Sequence, residues 1–337
     1  MPARMFRRHL AHHPPHHELR WWAWVVGGLV AIWLLLSSAA AGQGRQPTLP
    51  FPAFPGGKLP AELTPDKVLE TLLGKDRDFD NEELLGKIEV SWTEEMKLGQ
   101  QSIEDLRRQL AGKKQSLIER GKDAQYLERL VGLLQPQMKQ AERYKKVHVY
   151  VTSLGAPNAC SFPGGHLVVS REMLDQAGSE AALIGVLGHE LAHLDRGHLL
   201  RRMKQWKLAQ DRLANPPAGF SWDSLLGNMT LMQRLFRRPF GPAEELDADT
   251  DGITWAYHAG YDPLELGQVY TAMEAAGLSA PSFLPSFLRT HPFAADRRDH
   301  LLSIYNSLQT ADPQPHLYLG RQNLMRRLTR QQREFAD

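Results

Sequence analysis

The chain has 337 residues, of which 42% are hydrophobic and 23% are charged, and its formal net charge is +2. This length suffices for one large domain or two small ones, and the composition is that of an ordinary globular protein. Because positive and negative charges nearly balance, we expect no nucleic-acid partner and no strongly acidic one. The single cysteine, Cys160, excludes a disulfide within the chain.

Residues 1–42 predict a membrane anchor or a signal peptide. Four arginines and one acidic residue precede an uncharged apolar run at residues 21–42. About 20 such residues span a bilayer, and the basic flank favours a cytoplasmic N-terminus with the rest of the chain outside the cytoplasm. The length of the run favours an anchor. The three alanines at residues 39–41 would instead fit a cleavage site, which would release a soluble periplasmic protein.

Composition divides the remaining chain into three regions. Residues 43–91 are rich in proline and glycine and then acidic, which is typical of a linker beside the membrane. Residues 92–308 carry the periodic patterns of a folded domain, and residues 309–337 form a basic tail. We found no internal repeat.

Local patterns within residues 92–308 predict an α+β, mainly helical domain with a small β-sheet. Two helices come first, and strands are expected at residues 147–151 and 167–169. Later helices are expected from Pro242 to Gly260, at residues 264–276 and at residues 294–308. The apolar residues that define the first two helices are Met96, Ile103, Leu106 and Leu110, then Leu127, Leu130, Val131 and Leu134.

Two histidines four residues apart form the central motif. We expect one helix to begin after the N-cap Ser179 and to continue to the proline-rich break at residues 215–219. On this helix His189 and His193 share a face, one turn apart, so both imidazoles can reach a single ion. Glu190 is offset by about 100°, which suits a general base. This is the H-E-x-x-H pattern of zinc peptidases.

A third metal ligand is expected from the acidic run at residues 244–251, because a catalytic zinc usually takes three protein ligands and a water. Spacing alone does not choose among Glu244, Glu245 and Asp247. Glu245 and Asp249 lie one turn apart on one helical face, so one can bind metal while the other orients a ligand imidazole.

These motifs resemble those of the HtpX-like zinc metalloproteases, relatives of the CAAX prenyl endopeptidase. Three further segments match that family in the expected order. They are Asn-Ala-Cys-Ser-Phe-Pro-Gly-Gly at residues 158–165, Gly-Tyr-Asp-Pro at residues 260–263, and Thr-His-Pro at residues 290–292 followed by Arg297. The resemblance extends from about Trp92 to Leu302. HtpX has several membrane spans, whereas this chain has one apolar run, so it is closer to periplasmic or single-anchor members.

The resemblance implies a zincin-type fold with H-E-x-x-H on the central helix and one Zn²⁺ per chain. It implies His189, His193 and Glu245 as the zinc ligands and Asp249 as the residue that orients a ligand. His291 and Asn158 become candidates for contacts with the substrate or transition state. A structural His-Pro turn is the alternative for His291.

Two other residues near the motif, Cys160 and His198, could be mistaken for metal ligands. Cys160 stands where the family has an aromatic residue. A thiolate there would ligate zinc and silence the enzyme, but a small buried residue is the simpler interpretation. His198, five residues beyond His193, would point elsewhere on a continuous helix, so we expect it to be structural or exposed.

The predicted reaction is hydrolysis of peptide bonds in misfolded or unassembled envelope and membrane proteins. Zinc lowers the pKa of its water toward about 7, and Glu190 transfers the proton to the leaving amine. We expect an extended substrate to pair with the strand at residues 167–169.

An alternative is a chaperone-like client-binding protein with latent or structural zinc. The apolar segment at residues 220–241 would then hold clients. The same segment would cover the cleft of an enzyme, or form an ordinary packed helix and loop.

Overall fold

The computed structural model describes residues 81–214, 240–275 and 294–336. The predicted anchor or signal peptide, residues 1–42, and the first part of the predicted linker, residues 43–80, lie outside these ranges. Within the described ranges, none of the helices combines the length and the apolar character needed to cross a bilayer.

Helices make up most of the described chain, and the predicted α+β, mainly helical architecture is confirmed. The strands are β1 (His148–Thr152), β2 (Ala159–Phe162) and β3 (His166–Ser170). The helices are α1 (Glu82–Gly86), α2 (Trp92–Gly112), α3 (Lys122–Leu134), α4 (Arg171–Gln176), α5 (Glu180–Asp195), α6 (His198–Ala214), α7 (Pro242–His258), α8 (Glu265–Ala275), α9 (Ala294–Ala311) and α10 (Arg321–Arg326).

The sheet has the order β1-β3-β2, so β3 is its central strand. β3 pairs in parallel with β1 and antiparallel with β2. The prediction that residues 167–169 pair with a substrate is therefore wrong, because both edges of this strand are already hydrogen-bonded. β2 is an edge strand instead. The sequence did not predict it as a strand, because it is only four residues long and runs straight into a proline and two glycines.

The turn between β2 and β3 is held by a buried carboxylate. Gly164 and Gly165 both have φ of +75°, a conformation that favours glycine. Glu95 of α2 is fully buried, and its Oε1 accepts hydrogen bonds from the Gly164 backbone at 3.0 Å and the Tyr144 hydroxyl at 2.8 Å. Arg143 Nη2 lies 2.6 Å from the other oxygen and balances its charge. Helix α2 thus fixes one end of the edge strand.

The central helix α5 carries the H-E-x-x-H motif and is buried along its whole length. As predicted, the Ser179 hydroxyl caps it, accepting a hydrogen bond from the Ala182 backbone at 3.0 Å. Its leucines, Leu183, Leu187, Leu191 and Leu194, are buried, and so are the residues on its other faces. The reason is that α3, α7, α8 and β2 all contact this helix.

The central helix ends at Asp195 and does not continue to residue 215 as expected. Gly197 has φ of +74°, a left-handed conformation that stops an α-helix, and α6 begins at the next residue. Arg196 fixes the end of α5 against α7, because its Nε lies 2.5 Å from Asp251 Oδ2.

Helices α5 and α7 approach each other backbone to backbone. A Cβ on Gly188 would lie 3.0 Å from the Cα of Gly252, and a Cβ on Gly252 would lie 2.8 Å from the backbone nitrogen of His189. Only glycine allows so close an approach. The contact brings the acidic face of α7 beside the histidines of α5.

Residues on both sides of the predicted 92–308 domain pack against it. In α1, Leu85 is buried, and Glu82 pairs with Arg201 of α6 at 2.6 Å. The segment predicted as a basic tail, residues 309–337, also docks on the domain. Its Leu319 carbonyl accepts a hydrogen bond from the Ala181 backbone at 2.9 Å, and Leu324 is buried. Apolar side chains on both sides of residues 92–308, Leu85 and Leu324, are thus buried.

We predict that Gly252→Ala lowers the free energy of unfolding by roughly 1–3 kcal/mol, because the added methyl group overpacks the α5–α7 contact. Urea denaturation measures this change. Gly132→Ala in α3 is the matched control, since a Cβ there meets no atom within 4 Å. Because alanine is more favourable than glycine inside a helix, Gly132→Ala should raise the free energy of unfolding by about 0.5–1 kcal/mol. Equal effects of the two substitutions would contradict the tight contact.

Candidate metal centre

Three buried side chains from α5 and α7 converge on one point. His189, His193 and Glu245 each offer a ligand atom, and these atoms all lie within 4.8 Å of one another. The two Nε2 atoms are 3.1 Å apart. Glu245 Oε2 lies 3.7 Å from Nε2 of His189, and Glu245 Oε1 lies 3.7 Å from Nε2 of His193. All three residues are fully buried. In the part of the chain that the structure describes, no other group of histidine, cysteine and acidic side chains is so arranged.

This set of donors fits a zinc ion. Two imidazole nitrogens and one carboxylate form a known catalytic zinc set, with each bond about 2.0–2.2 Å long. Tetrahedral ligands at such distances are separated from each other by about 3.4 Å. The separations of 3.1 and 3.7 Å lie on either side of this value. The structure thus brings together the three residues that the family resemblance implies, and zinc binding itself stays a prediction.

Of the three candidates Glu244, Glu245 and Asp247, Glu245 is the one that lies beside the Nε2 atoms of both histidines. Glu244 turns back instead, and its Oε2 accepts a hydrogen bond from the Gly241 backbone at 2.9 Å at the start of α7. Asp247 is half exposed and pairs with Arg196 Nη1 at 3.2 Å. The alternatives that spacing left open are therefore occupied elsewhere, one as a helix cap and one in a surface ion pair.

Glu190 lies between the central helix and the edge strand. The Ser161 backbone nitrogen in β2 donates a hydrogen bond to Glu190 Oε2 at 2.8 Å. Cys160 is buried beside it, and burial followed by the charge of Glu190 raises the pKa of the Cys160 thiol well above its usual value. Cys160 is buried and does not belong to the group of ligand atoms formed by His189, His193 and Glu245, which agrees with the simpler interpretation.

Arg297 neutralises the buried carboxylates of Glu245 and Asp249. Its Nη1 lies 2.8 Å from Glu245 Oε2, and its Nε lies 2.7 Å from Asp249 Oδ2. Asp249 Oδ1 is 2.8 Å from His189 Nδ1 and accepts a hydrogen bond from the Tyr270 hydroxyl at 2.9 Å. Asp249 thus orients the His189 ring so that Nε2 faces the other ligand atoms.

The pKa of Asp249 reflects this arrangement. Burial alone would raise it, but the hydrogen bonds and charge of Arg297, together with His189, outweigh burial and hold the pKa of Asp249 well below its usual range. Asp249 is therefore a carboxylate at neutral pH and accepts the Nδ1 proton of His189.

His193 has a different partner. Its Nδ1 lies 2.8 Å from Nδ1 of His198, which is buried. The prediction that His198 points elsewhere is wrong, because it assumed a continuous helix and the break at Gly197 places His198 beside His193. Burial followed by the charge of Arg196 lowers the pKa of His198 to about 3. The Phe240 ring stacks on His193, with their centroids 3.8 Å apart.

The remaining candidate site residues are Asn158 and His291. The Asn158 backbone nitrogen donates to Ser170 Oγ at 2.8 Å, and its carbonyl accepts from the Ser170 backbone at 2.8 Å. Asn158 thereby holds the start of β2, and its contact with substrate stays a prediction. His291 lies outside the described residues. So do residues 220–239 of the apolar segment predicted to cover the cleft or hold clients.

Three residues of the site, Ser161, Tyr270 and Arg297, had no role predicted from the sequence. Arg297 lies in a segment that resembles the family, so the sequence indicated that this residue is important but did not indicate what it does. Ser161 acts through its backbone, and Tyr270 lies in a helix whose pattern shows only packing, so neither carries a signal in the sequence.

Residues 122–305, more than half of the chain, match the model for peptidase family M48. The chain belongs to peptidase family M48. Membership confirms the predicted resemblance to a metalloprotease family and the predicted zincin-type fold, and it supports the prediction of a metalloendopeptidase. The matched region contains all the residues of the cluster.

Relatives of this M48 chain include named proteases. It is 29% identical over 156 residues to the mitochondrial metalloendopeptidase OMA1 of Arabidopsis thaliana, covering 46% of this chain and 30% of that protein. It is 25% identical over 193 residues to the beta-barrel assembly-enhancing protease of Yersinia pestis, covering 51% and 37%. The Escherichia coli K12 protease of the same name is 26% identical over 164 residues, covering 44% and 32%. The matched regions thus span about a third of each relative.

We predict that Arg297→Met lowers the free energy of unfolding of the metal-free protein by about 3–5 kcal/mol, because it leaves the Glu245 and Asp249 carboxylates buried without a counter-ion. Denaturant unfolding of the full chain measures this loss. Arg108→Met is the matched control. Its guanidinium is largely exposed and pairs with Asp105 on α2, so its removal should cost less than about 1 kcal/mol. Similar losses from both variants would contradict the role of Arg297.

Proposed function

We propose that this chain is a zinc-dependent endopeptidase that hydrolyses peptide bonds of misfolded or unassembled envelope and membrane proteins. The observation that carries the proposal is the buried His189, His193 and Glu245 group with Glu190 beside it on the same helix. Membership in a peptidase family supports the class of reaction. The proposed stoichiometry is one zinc ion per chain, held by His189, His193 and Glu245.

The proposed chemistry assigns one task to each group. When bound, zinc supplies a Lewis acid that makes water a nucleophile near neutral pH. Glu190 takes a proton from that water and delivers it to the leaving amine, so no acyl-enzyme is needed. The hydrogen bond from Ser161 holds one carboxylate oxygen of Glu190 at 2.8 Å and so fixes the orientation of the base.

The substrate strand is proposed to lie along β2. This strand is at the edge of the sheet, contacts α5 and leads directly past Glu190. An edge strand offers backbone donors and acceptors to an extended peptide, and a peptide paired there would pass beside the base. This proposal replaces the pairing expected at residues 167–169.

Backbone methylation of a cleaved peptide tests this pairing. Methylating the nitrogens on either side of the scissile bond, one at a time, should reduce cleavage roughly tenfold at positions that donate to β2, the effect of losing one hydrogen bond. Peptides methylated at distant positions are the control. Unchanged cleavage at every position would rule out strand pairing.

The proposed location is outside the cytoplasm, with the chain tethered to the membrane by residues 1–42. The arginines before the apolar run support this orientation, and a cleaved signal peptide would give a soluble periplasmic form instead. Protease added to spheroplasts should digest the domain of the full chain. Protection from that protease until the inner membrane is lysed would contradict the orientation.

We predict that Glu190→Gln keeps the zinc content of the protein and lowers casein cleavage by roughly 10²–10⁴-fold, because it removes the general base. Metal analysis and casein digestion of the full chain measure the two effects. A variant that cleaves casein at the parent rate would exclude Glu190 as the base.

Two variants of neighbouring residues on α7 test whether Glu245 is a zinc ligand. Glu245→Ala should lose zinc, whereas Glu244→Ala removes only the hydrogen bond to Gly241 and should retain it. His193→Ala should also lose zinc. Stoichiometric zinc in the Glu245→Ala protein would refute the assignment of Glu245.

The alternative of a chaperone-like protein with structural or latent zinc predicts a different result. Structural zinc sites usually have four protein ligands, whereas three converge among the described residues. A Glu190→Gln protein that prevents aggregation of an unfolding client would favour a binding role. Rapid cleavage by the parent and no protection by the variant would favour the enzyme.

A further inference from the structure

We propose that His198 is a positioning residue for the metal centre, which holds the His193 ring through an Nδ1-to-Nδ1 hydrogen bond. This inference rests on the proposed zinc site and adds a residue to it. His198 is buried and lies outside the group of three ligand atoms. Its role would be to fix the orientation of one ligand.

The geometry of the pair determines where the protons lie. The two Nδ1 atoms are 2.8 Å apart, so one proton lies between them and one nitrogen must accept it. Nε2 of His193 faces Nε2 of His189 at 3.1 Å and supplies the lone pair toward the metal position. The His193 proton is therefore on Nδ1, and His198 Nδ1 is the acceptor.

The two ligand histidines are consequently held in different ways. His189 donates its Nδ1 proton to the Asp249 carboxylate, whose charge Arg297 balances. His193 donates to a neutral imidazole. A carboxylate acceptor increases the electron density of the donating imidazole more than a neutral acceptor does. His193 should therefore be the weaker donor of the two and depend more on correct orientation.

Local backbone geometry creates this contact. Gly197 ends the turn after α5 with φ of +74°, and His198 is the first residue of α6. A continuous helix would have carried position 198 away from His193. The break therefore brings a second imidazole to the ligand only five residues further along the chain.

Packing is the competing explanation. The His198 ring also lies 5.0 Å from the His193 ring and 6.0 Å from the Phe240 ring, measured between centroids. A ring that only fills space would serve equally well without a nitrogen. The two explanations are separated by one variant that keeps the ring and another that keeps the acceptor.

His198→Phe and His198→Asn form that matched pair. Phenylalanine keeps an aromatic ring but offers no acceptor, whereas the asparagine oxygen occupies the same bonded position as Nδ1. The readout is the zinc dissociation constant of the full chain, measured by competition with a chelator. His198→Phe should weaken zinc binding about 10–100-fold, as is typical when a partner of a metal ligand is lost. His198→Asn should stay within a few-fold of the parent.

His166→Phe is the control for a buried histidine elsewhere. Its Nδ1 lies 2.9 Å from the Tyr150 hydroxyl in the sheet, and its replacement should leave zinc affinity unchanged. Parent-like affinity of His198→Phe, or equal losses in both His198 variants, would overturn the proposal while the zinc site stands. A parent chain that binds no zinc would refute the proposed function itself and the positioning role with it.

Discussion

The ion pairs of Arg297 with Glu245 and Asp249 are the interaction on which the rest of the site depends. Both carboxylates are fully buried, and a buried charge without a partner is strongly destabilising. One guanidinium meets both because its donors point along different directions. Arg297 lies on α9, the carboxylates on α7 and the histidines on α5. Formation of the site therefore requires these three helices to pack together, which makes the site a product of tertiary structure.

Features that depend on local spacing could be predicted from the sequence. The Ser179 cap, the His189 and His193 pair and the Pro242 start of α7 follow from helix geometry and capping. The break at Gly197 could not be predicted in this way. A left-handed glycine leaves the hydrophobic periodicity on both sides intact, so two helices look like one.

The choice of Glu245 as the third ligand depends on contacts between helices, which the sequence does not show. Spacing on α7 left Glu244, Glu245 and Asp247 open because each is an acid near the start of the same helix. Their neighbours distinguish them. Glu244 satisfies the Gly241 backbone nitrogen, which would otherwise lack a helical partner, and Asp247 pairs with Arg196 at the surface. An acidic cluster at a helix start thus contains a cap, a surface ion pair and a ligand candidate, and only tertiary contacts assign them.

The edge strand connects the base with the proposed path of the substrate. The Ser161 backbone nitrogen holds Glu190, so any displacement of β2 moves the base together with the peptide that would pair there. Glu95 restrains that displacement, because its carboxylate accepts a hydrogen bond from the Gly164 backbone just after the strand. The two residues are 69 positions apart in the sequence. Because Glu95 is buried and paired with Arg143, the restraint is itself stabilised by the core. The position of the base thus depends on α2 as well as on the helix that carries it.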